Sequence, residues 1–200
     1  MRPVDSIEAL RAHYGTPVGA ALTKVAPKLT LAYSNWIARS RFCLVATVGP
    51  GGTDVSPRGD DGPVVRIAAP DRLEMPDWHG NNRIDSLENI VADGRVSLLF
   101  MVPGSDNVVR VNGRAFVTVD DDARDSFARD GKAPRSVVVV EIAEVYVQCA
   151  RALMRAGLWS RDDADGLPSV GQMARSAADA EFDAETYDAE WTARARTTMW

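Results

Sequence analysis

The chain has 200 residues, of which 46% are hydrophobic and 26% charged, and this is the composition of an ordinary globular protein. Its net charge of −5 and its pI of about 5.1 argue against a nucleic-acid-binding protein, which usually carries a basic face. The N-terminus lacks an apolar core of signal-peptide length, and no stretch approaches the ~20 apolar residues of a membrane helix. We therefore expect a cytoplasmic protein without a membrane partner.

The first forty residues are expected to form helices. Asp5 to Ala12 is predicted to be a short helix that Asp5 caps, with an acidic residue at capping-box spacing. Apolar residues at helical spacing then predict a second helix that begins at Pro27 and points Tyr33 and Trp36 toward the core.

Six or so strands follow and are mostly joined by short turns. Gly113 interrupts a long run of alternating apolar and polar residues, and it predicts a bulge or a close backbone approach. The runs are too closely spaced for a β-α-β sheet, so a small antiparallel barrel is the natural closure. The predicted strands are Phe42 to Val48, Thr53 to Ser56, Val64 to Ala69, Leu73 to Trp78, Arg95 to Val102, Val109 to Val119 and Val137 to Val147.

One helix is predicted within the barrel region, from Asn82 to Ala92, with Asn81 or Asn82 as its cap. We expect one domain, in which residues 1–40 form an N-terminal helical segment, 41–149 the barrel core and 150–200 a helical C-terminal extension. The remaining predicted helices are Asp120 to Arg129, Ala150 to Trp159, Val170 to Ala178 and Ala184 to Ala195.

Strong catalytic motifs are absent from the sequence. There is no CxxC pair, no HExxH, no glycine-rich phosphate loop and no GxSxG elbow, so no metal site is predicted. Only His13 and His79 could serve a histidine-based site, and His79 is expected to be a loop residue. Cys43 and Cys149 lie in apolar runs and are expected to be buried free thiols, although their spacing alone leaves a disulfide open.

Two polar segments stand out instead. Ser56-Pro57-Arg58 ends the second predicted strand, and Asp77-Trp78 with Asn81-Asn82-Arg83 leads into the predicted helix. A phosphate monoester needs guanidinium groups, several donors and preferably a helix N-terminus, where an arginine is otherwise disfavoured. These residues therefore indicate an anion site, while a solvated turn with ordinary caps is the alternative that their spacing leaves open.

The order of the motifs resembles the pyridoxamine 5′-phosphate oxidase family of FMN-binding split barrels. The likeness covers roughly Ile37 to Val147, and a tail at Gln148 to Ala152, Arg155 and Leu158-Trp159 is similar to an oxidase-related branch of that family. The segments that carry it are Phe42-Cys-Leu-Val-Ala-Thr-Val48, Val55-Ser-Pro-Arg58, Gly80-Asn-Asn-Arg83, Leu87-Glu-Asn-Ile90, Arg95-Val-Ser-Leu-Leu-Phe100 and Arg110-Val-Asn-Gly-Arg114.

The resemblance implies a mainly β (α+β) fold, an antiparallel split β-barrel with flanking helices. It also implies a homodimer with FMN at the subunit interface, near residues such as Trp159, and a small-molecule substrate. The residues it assigns to the cofactor are Ser56, Pro57, Arg58, Asp77, Trp78, Asn81, Asn82 and Arg83.

The sequence also departs from that family. Asn82 stands where the oxidases carry a basic residue, Val108 falls near a family glutamine, and the tail lacks the substrate-binding Arg-Leu-His triplet. We therefore expect an FMN-dependent oxidoreductase with another substrate, and no catalytic residue is identified. The alternatives are a flavin- or haem-binding module without turnover and a deazaflavin-dependent reductase.

Overall fold

The computed structural model describes residues 1–17, 19–178 and 182–199, and its centre is one antiparallel sheet of seven strands. The strand order is β2-β1-β5-β6-β7-β4-β3, and every neighbouring pair is antiparallel. This confirms the predicted antiparallel, mainly β class. The strands are Phe42–Gly49 (β1), Gly52–Gly59 (β2), Arg66–Ala69 (β3), Arg72–Asp77 (β4), Arg95–Met101 (β5), Val108–Thr118 (β6) and Ser136–Gln148 (β7).

The core lies on the inner face of this curved sheet. Alternate side chains point to it, because successive residues of a strand face opposite sides. Val45, Leu98, Val111 and Val140 are examples, and each is at most 4% exposed. Ile37 of the third helix closes the core from one side, and Tyr33 and Trp36 pack against it half-buried.

Eight helices flank the sheet in the described part of the chain. None of them combines the length and the apolar character that crossing a membrane would take. The last two pack against each other as a hairpin. The helices are Ile7–Arg11 (α1), Ala20–Thr23 (α2), Leu31–Ile37 (α3), Asp85–Ala92 (α4), Asp121–Asp125 (α5), Arg151–Ala156 (α6), Val170–Ala177 (α7) and Ala184–Thr198 (α8).

Two predicted helix starts near the N-terminus are wrong. Ser6 rather than Asp5 caps α1, since its hydroxyl oxygen accepts a hydrogen bond from Ala9 N at 3.0 Å. The helix predicted from Pro27 begins four residues later at Leu31, after the Thr30 cap. The preceding segment is held extended by backbone hydrogen bonds to β7 and to the β3–β4 turn, so it cannot coil.

Other predicted boundaries also shift. The third strand begins at Arg66 because Val64 N donates instead to Ser40 O at 2.8 Å. The helix predicted to reach Trp159 ends at Ala156, where Gly157 takes a left-handed φ of 58°. The helix predicted over Asp120 to Arg129 shortens to α5, and the last predicted helix extends to Thr198.

The bulge predicted at Gly113 is confirmed. The pairing of β6 with β7 shifts register between Asn112 and Gly113. A Cβ at Gly113 would lie 2.0 Å from the carbonyl oxygen of Glu141, so only glycine allows the two backbones to approach this closely.

The two cysteines differ in environment. Cys43 is fully buried on the inner face of β1, and burial raises the pKa of its thiol to about 12. Cys149 is exposed just after β7, so the prediction that it is buried is wrong. Its apolar run belongs to the strand, which ends at Gln148 before the chain turns out to solvent. Both thiols are free.

Candidate functional site

One cavity of about 790 Å³ lies between the end of β2 and the end of β4 with the loop that follows it. These two strands are far apart in the sheet order, and the curvature of the sheet brings their ends together. All eight residues that the sequence assigned to a cofactor line this cavity, namely Ser56, Pro57, Arg58, Asp77, Trp78, Asn81, Asn82 and Arg83.

The inner wall of the cavity is formed by Ser56 and Arg58 of β2. The cross-strand pairs of β2 with β1 place both on the core-facing side, opposite Val45 and Cys43. The Arg58 guanidinium donates to the carboxylate of Asp77, the last residue of β4, and their side chains are only 24% and 14% exposed. This ion pair joins the two ends of the sheet across the cavity.

The loop after β4 places Arg83 differently from the prediction. Asn82 takes a left-handed φ of 62°, and Asn81 Oδ1 accepts a hydrogen bond from Arg83 N at 3.0 Å. This turn delays α4 until Asp85, so the helix predicted from Asn82 and its asparagine cap are wrong. Arg83 lies before the helix, 79% exposed, and its Nε donates to Asp85 Oδ2 at 2.6 Å. That hydrogen bond raises the pKa of Arg83 further above its ordinary value.

Arg135 is a cavity residue that sequence reasoning missed. It precedes β7, and its backbone N donates to Asp77 O at 2.9 Å. Its guanidinium donates to Asn82 Oδ1, and Nη2 lies 2.8 Å from His79 Nδ1. No carboxylate of the described chain lies within ion-pair distance of it, in contrast to Arg58 and Arg83. Its position depends on the pairing of β4 with β7, which local patterns do not reveal.

The indole of Trp78 forms another wall of the cavity and is fixed from behind. Its Nε1 donates to Asp60 Oδ2 at 3.4 Å, and the Arg129 guanidinium lies 5.3 Å from the ring centroid. Arg129 also donates to both oxygens of Asp60, at 2.6 and 3.1 Å. The Asp60 side chain is only 2% exposed, so it anchors the wall and is not available to a ligand.

The arrangement suits a flat ligand with an anionic end. An indole and buried strand residues offer apolar contact, while three guanidinium groups border the same space. Two of these groups already have carboxylate partners, which reduces the positive potential that they present. Within the described residues no three His, Cys, Asp or Glu side chains are grouped to hold a metal ion.

A family model described as pyridoxamine 5′-phosphate oxidase matches residues 29–149, which include all seven strands. No curated protein matches the chain.

Several solved structures are similar to this chain, among them two that overlap with 60% of it. A tagged variant of HupZ from Group A Streptococcus is 15% identical, with a TM-score of 0.50, and the match covers 60% of this chain and 98% of that one. A proposed pyridoxamine 5′-phosphate oxidase from Lactobacillus delbrueckii is 26% identical, with a TM-score of 0.48, over 60% of this chain and 95% of that one.

Proposed function

Because this chain belongs to the pyridoxamine 5′-phosphate oxidase family, we propose that it binds FMN in the cavity between β2 and β4 and acts as an oxidoreductase. The observation that carries the proposal is the convergence of all eight sequence-assigned residues on one cavity. Flavin would supply the redox chemistry, by accepting or donating a hydride at its ring system.

The protein's own residues would bind and orient the cofactor. The Trp78 indole would pack against the flat ring, held in place by its hydrogen bond to Asp60. The hydroxyl of Ser56 would supply a hydrogen bond from the strand. Arg58 would contribute positive charge at the inner wall, and the exposed Arg83 would do so at the mouth.

The substrate is proposed to be a small molecule other than pyridoxamine phosphate. Arg58 and Arg83 each pair with a carboxylate, so neither guanidinium is free to hold the phosphate of a substrate. The C-terminal helix reaches the cavity with Met199, an apolar residue, and the sequence lacks an Arg-Leu-His triplet in this tail. A substrate that meets Met199 is expected to be apolar on that side.

Titration with FMN tests the proposal. Quenching of flavin fluorescence should saturate at one FMN per chain in the purified protein. Arg58→Ala should weaken FMN binding by roughly 1–3 kcal/mol, because it leaves the Asp77 carboxylate in the cavity without its partner. The matched control is Arg95→Ala, since Arg95 also pairs with an aspartate but lies outside the cavity. Wild-type protein that fails to quench FMN at millimolar concentration would refute the proposal.

Turnover is tested separately from binding. Anaerobic addition of NADH or NADPH to the FMN complex should bleach the flavin absorbance if the protein is an oxidoreductase. Bound FMN that neither nucleotide nor a panel of small oxidisable compounds reduces would instead indicate a binding module. Parallel titrations with haem and with a deazaflavin should show weaker binding than FMN, and tighter binding of either would replace FMN as the assigned ligand.

We also propose a homodimer with the flavin near the subunit interface. The face of the sheet away from the core carries apolar cross-strand pairs, Leu44 with Leu99 and Ala46 with Val55, and Val55 is 59% exposed. A second copy of this chain would cover such a face. Light scattering on a sizing column should give twice the chain mass, and Leu99→Asp should convert the protein to monomers. A wild-type monomer at micromolar concentration would contradict this part.

A further inference from the structure

Arg135 differs from the other two arginines of the cavity in what it contacts. Arg58 and Arg83 each donate to an aspartate, whereas the side-chain contacts of Arg135 in the described chain are the Asn82 amide oxygen and the His79 ring. Neither of these partners is a carboxylate that would neutralise the guanidinium charge. Arg135 therefore brings an uncompensated charge to the cavity, and an anion would bind there most favourably.

A phosphate dianion in the cavity would give Arg135 a partner of opposite charge. Arg135 would then donate to the phosphate oxygens in place of His79 Nδ1, and its planar pair of donors suits a phosphate.

The other charged groups around His79 are already paired with one another. Asp77 pairs with Arg58, Asp60 with Arg129, and Asp85 with Arg83. Asp61 at the edge of the cavity lies 3.5 Å from Arg41. These pairs contribute little net charge, so the positive charge available to a phosphate comes from Arg135.

We propose that the phosphate of FMN binds against Arg135. The inference rests on the proposed function, since it takes FMN as the ligand, and it assigns the phosphate to a residue outside the sequence motifs. Asn82 contributes by holding the Arg135 guanidinium in the cavity when no ligand is bound.

The test compares the binding affinities of FMN and riboflavin, which has the same ring and no phosphate. Arg135→Gln should weaken FMN binding by about 10- to 100-fold, as expected for a lost charge-assisted hydrogen bond, and should leave riboflavin binding unchanged. Arg135→Lys should recover part of the FMN affinity, because it restores the charge without the planar fork. Thermal melting of each variant checks that the fold is retained.

The outcomes separate this inference from the proposed function. If neither FMN nor riboflavin binds, the proposed function itself fails. If FMN binds and Arg135→Gln weakens riboflavin equally or leaves FMN unaffected, the phosphate lies elsewhere and the inference is wrong.

Discussion

Replacing Gly113 with alanine tests how tightly β6 and β7 approach each other. The new Cβ would lie 2.0 Å from the carbonyl oxygen of Glu141, whereas real Cβ contacts essentially never fall under 3.0 Å. The two strands must therefore separate by about 1 Å at the bulge to bring this contact up to that limit. The obstacle is backbone in a paired strand, so no side chain can rotate away to relieve it.

The cost of this separation follows from the packing around the bulge. Overpacking a well-packed interior costs about 1–3 kcal/mol, and each kcal/mol shifts the Tm by about 2–4 °C in a domain of this size. Gly113→Ala should thus lower the Tm by roughly 2–12 °C. Gly51→Ala is the matched control, because an added Cβ there meets nothing within 4 Å.

The measurement is thermal unfolding followed by circular dichroism, with urea unfolding as a second probe. Gly113→Ala should lower the urea midpoint without changing the slope, which would show that only stability has changed. A Tm equal to that of the wild type, or equal to that of Gly51→Ala, would show that β6 and β7 are not this close and would refute the bulge.

Three further predictions concern the thiols and the cavity. At pH 8 a thiol-alkylating reagent should modify the exposed Cys149 and spare Cys43, because burial raises the pKa of the Cys43 thiol to about 12. Denaturant should make both thiols reactive, and mass spectrometry of the intact chain counts the adducts. Rapid modification of Cys43 in the folded protein would contradict its burial. Arg83→Ala should weaken FMN binding by less than about fivefold in a fluorescence titration, because the side chain is mostly exposed and paired with Asp85. A loss of affinity larger than about tenfold would place Arg83 in the phosphate site. Asn82→Gly should keep the left-handed turn, whereas Asn82→Ala should strain it. The free energy of unfolding of the alanine variant should therefore be lower than that of the glycine variant by up to about 2 kcal/mol, and its Tm should fall accordingly. Equal Tm values would show that this backbone conformation is not strained.

The sheet could be predicted from the sequence because its signals are local. The alternation of apolar and polar residues along β6 is visible in the sequence and predicts a strand, which the structure has. Gly113, which breaks the alternation, predicts the bulge that is found there. The strand boundaries shift where a backbone group finds a distant partner, as when Val64 N bonds to Ser40 O. Such contacts depend on tertiary structure, so periodicity cannot reveal them.

The candidate site could be predicted only in part for the same reason. Each of the two polar segments is contiguous in the chain, and the resemblance to a family indicates that both bind the same ligand. Arg135 escaped notice because it reaches the cavity through the pairing of β4 with β7, about sixty residues apart in sequence. The start of α4 was misplaced because Asn82 can take either a capping or a left-handed conformation, and the turn at Asn81 selects the latter.

A crystal structure of the protein with FMN tests the central claim most directly. The account predicts one flavin per chain between β2 and β4, with its ring against Trp78 and its phosphate within hydrogen-bonding distance of Arg135. Flavin bound at another surface, or a cavity that stays filled by the protein's own side chains at saturating FMN, would contradict it.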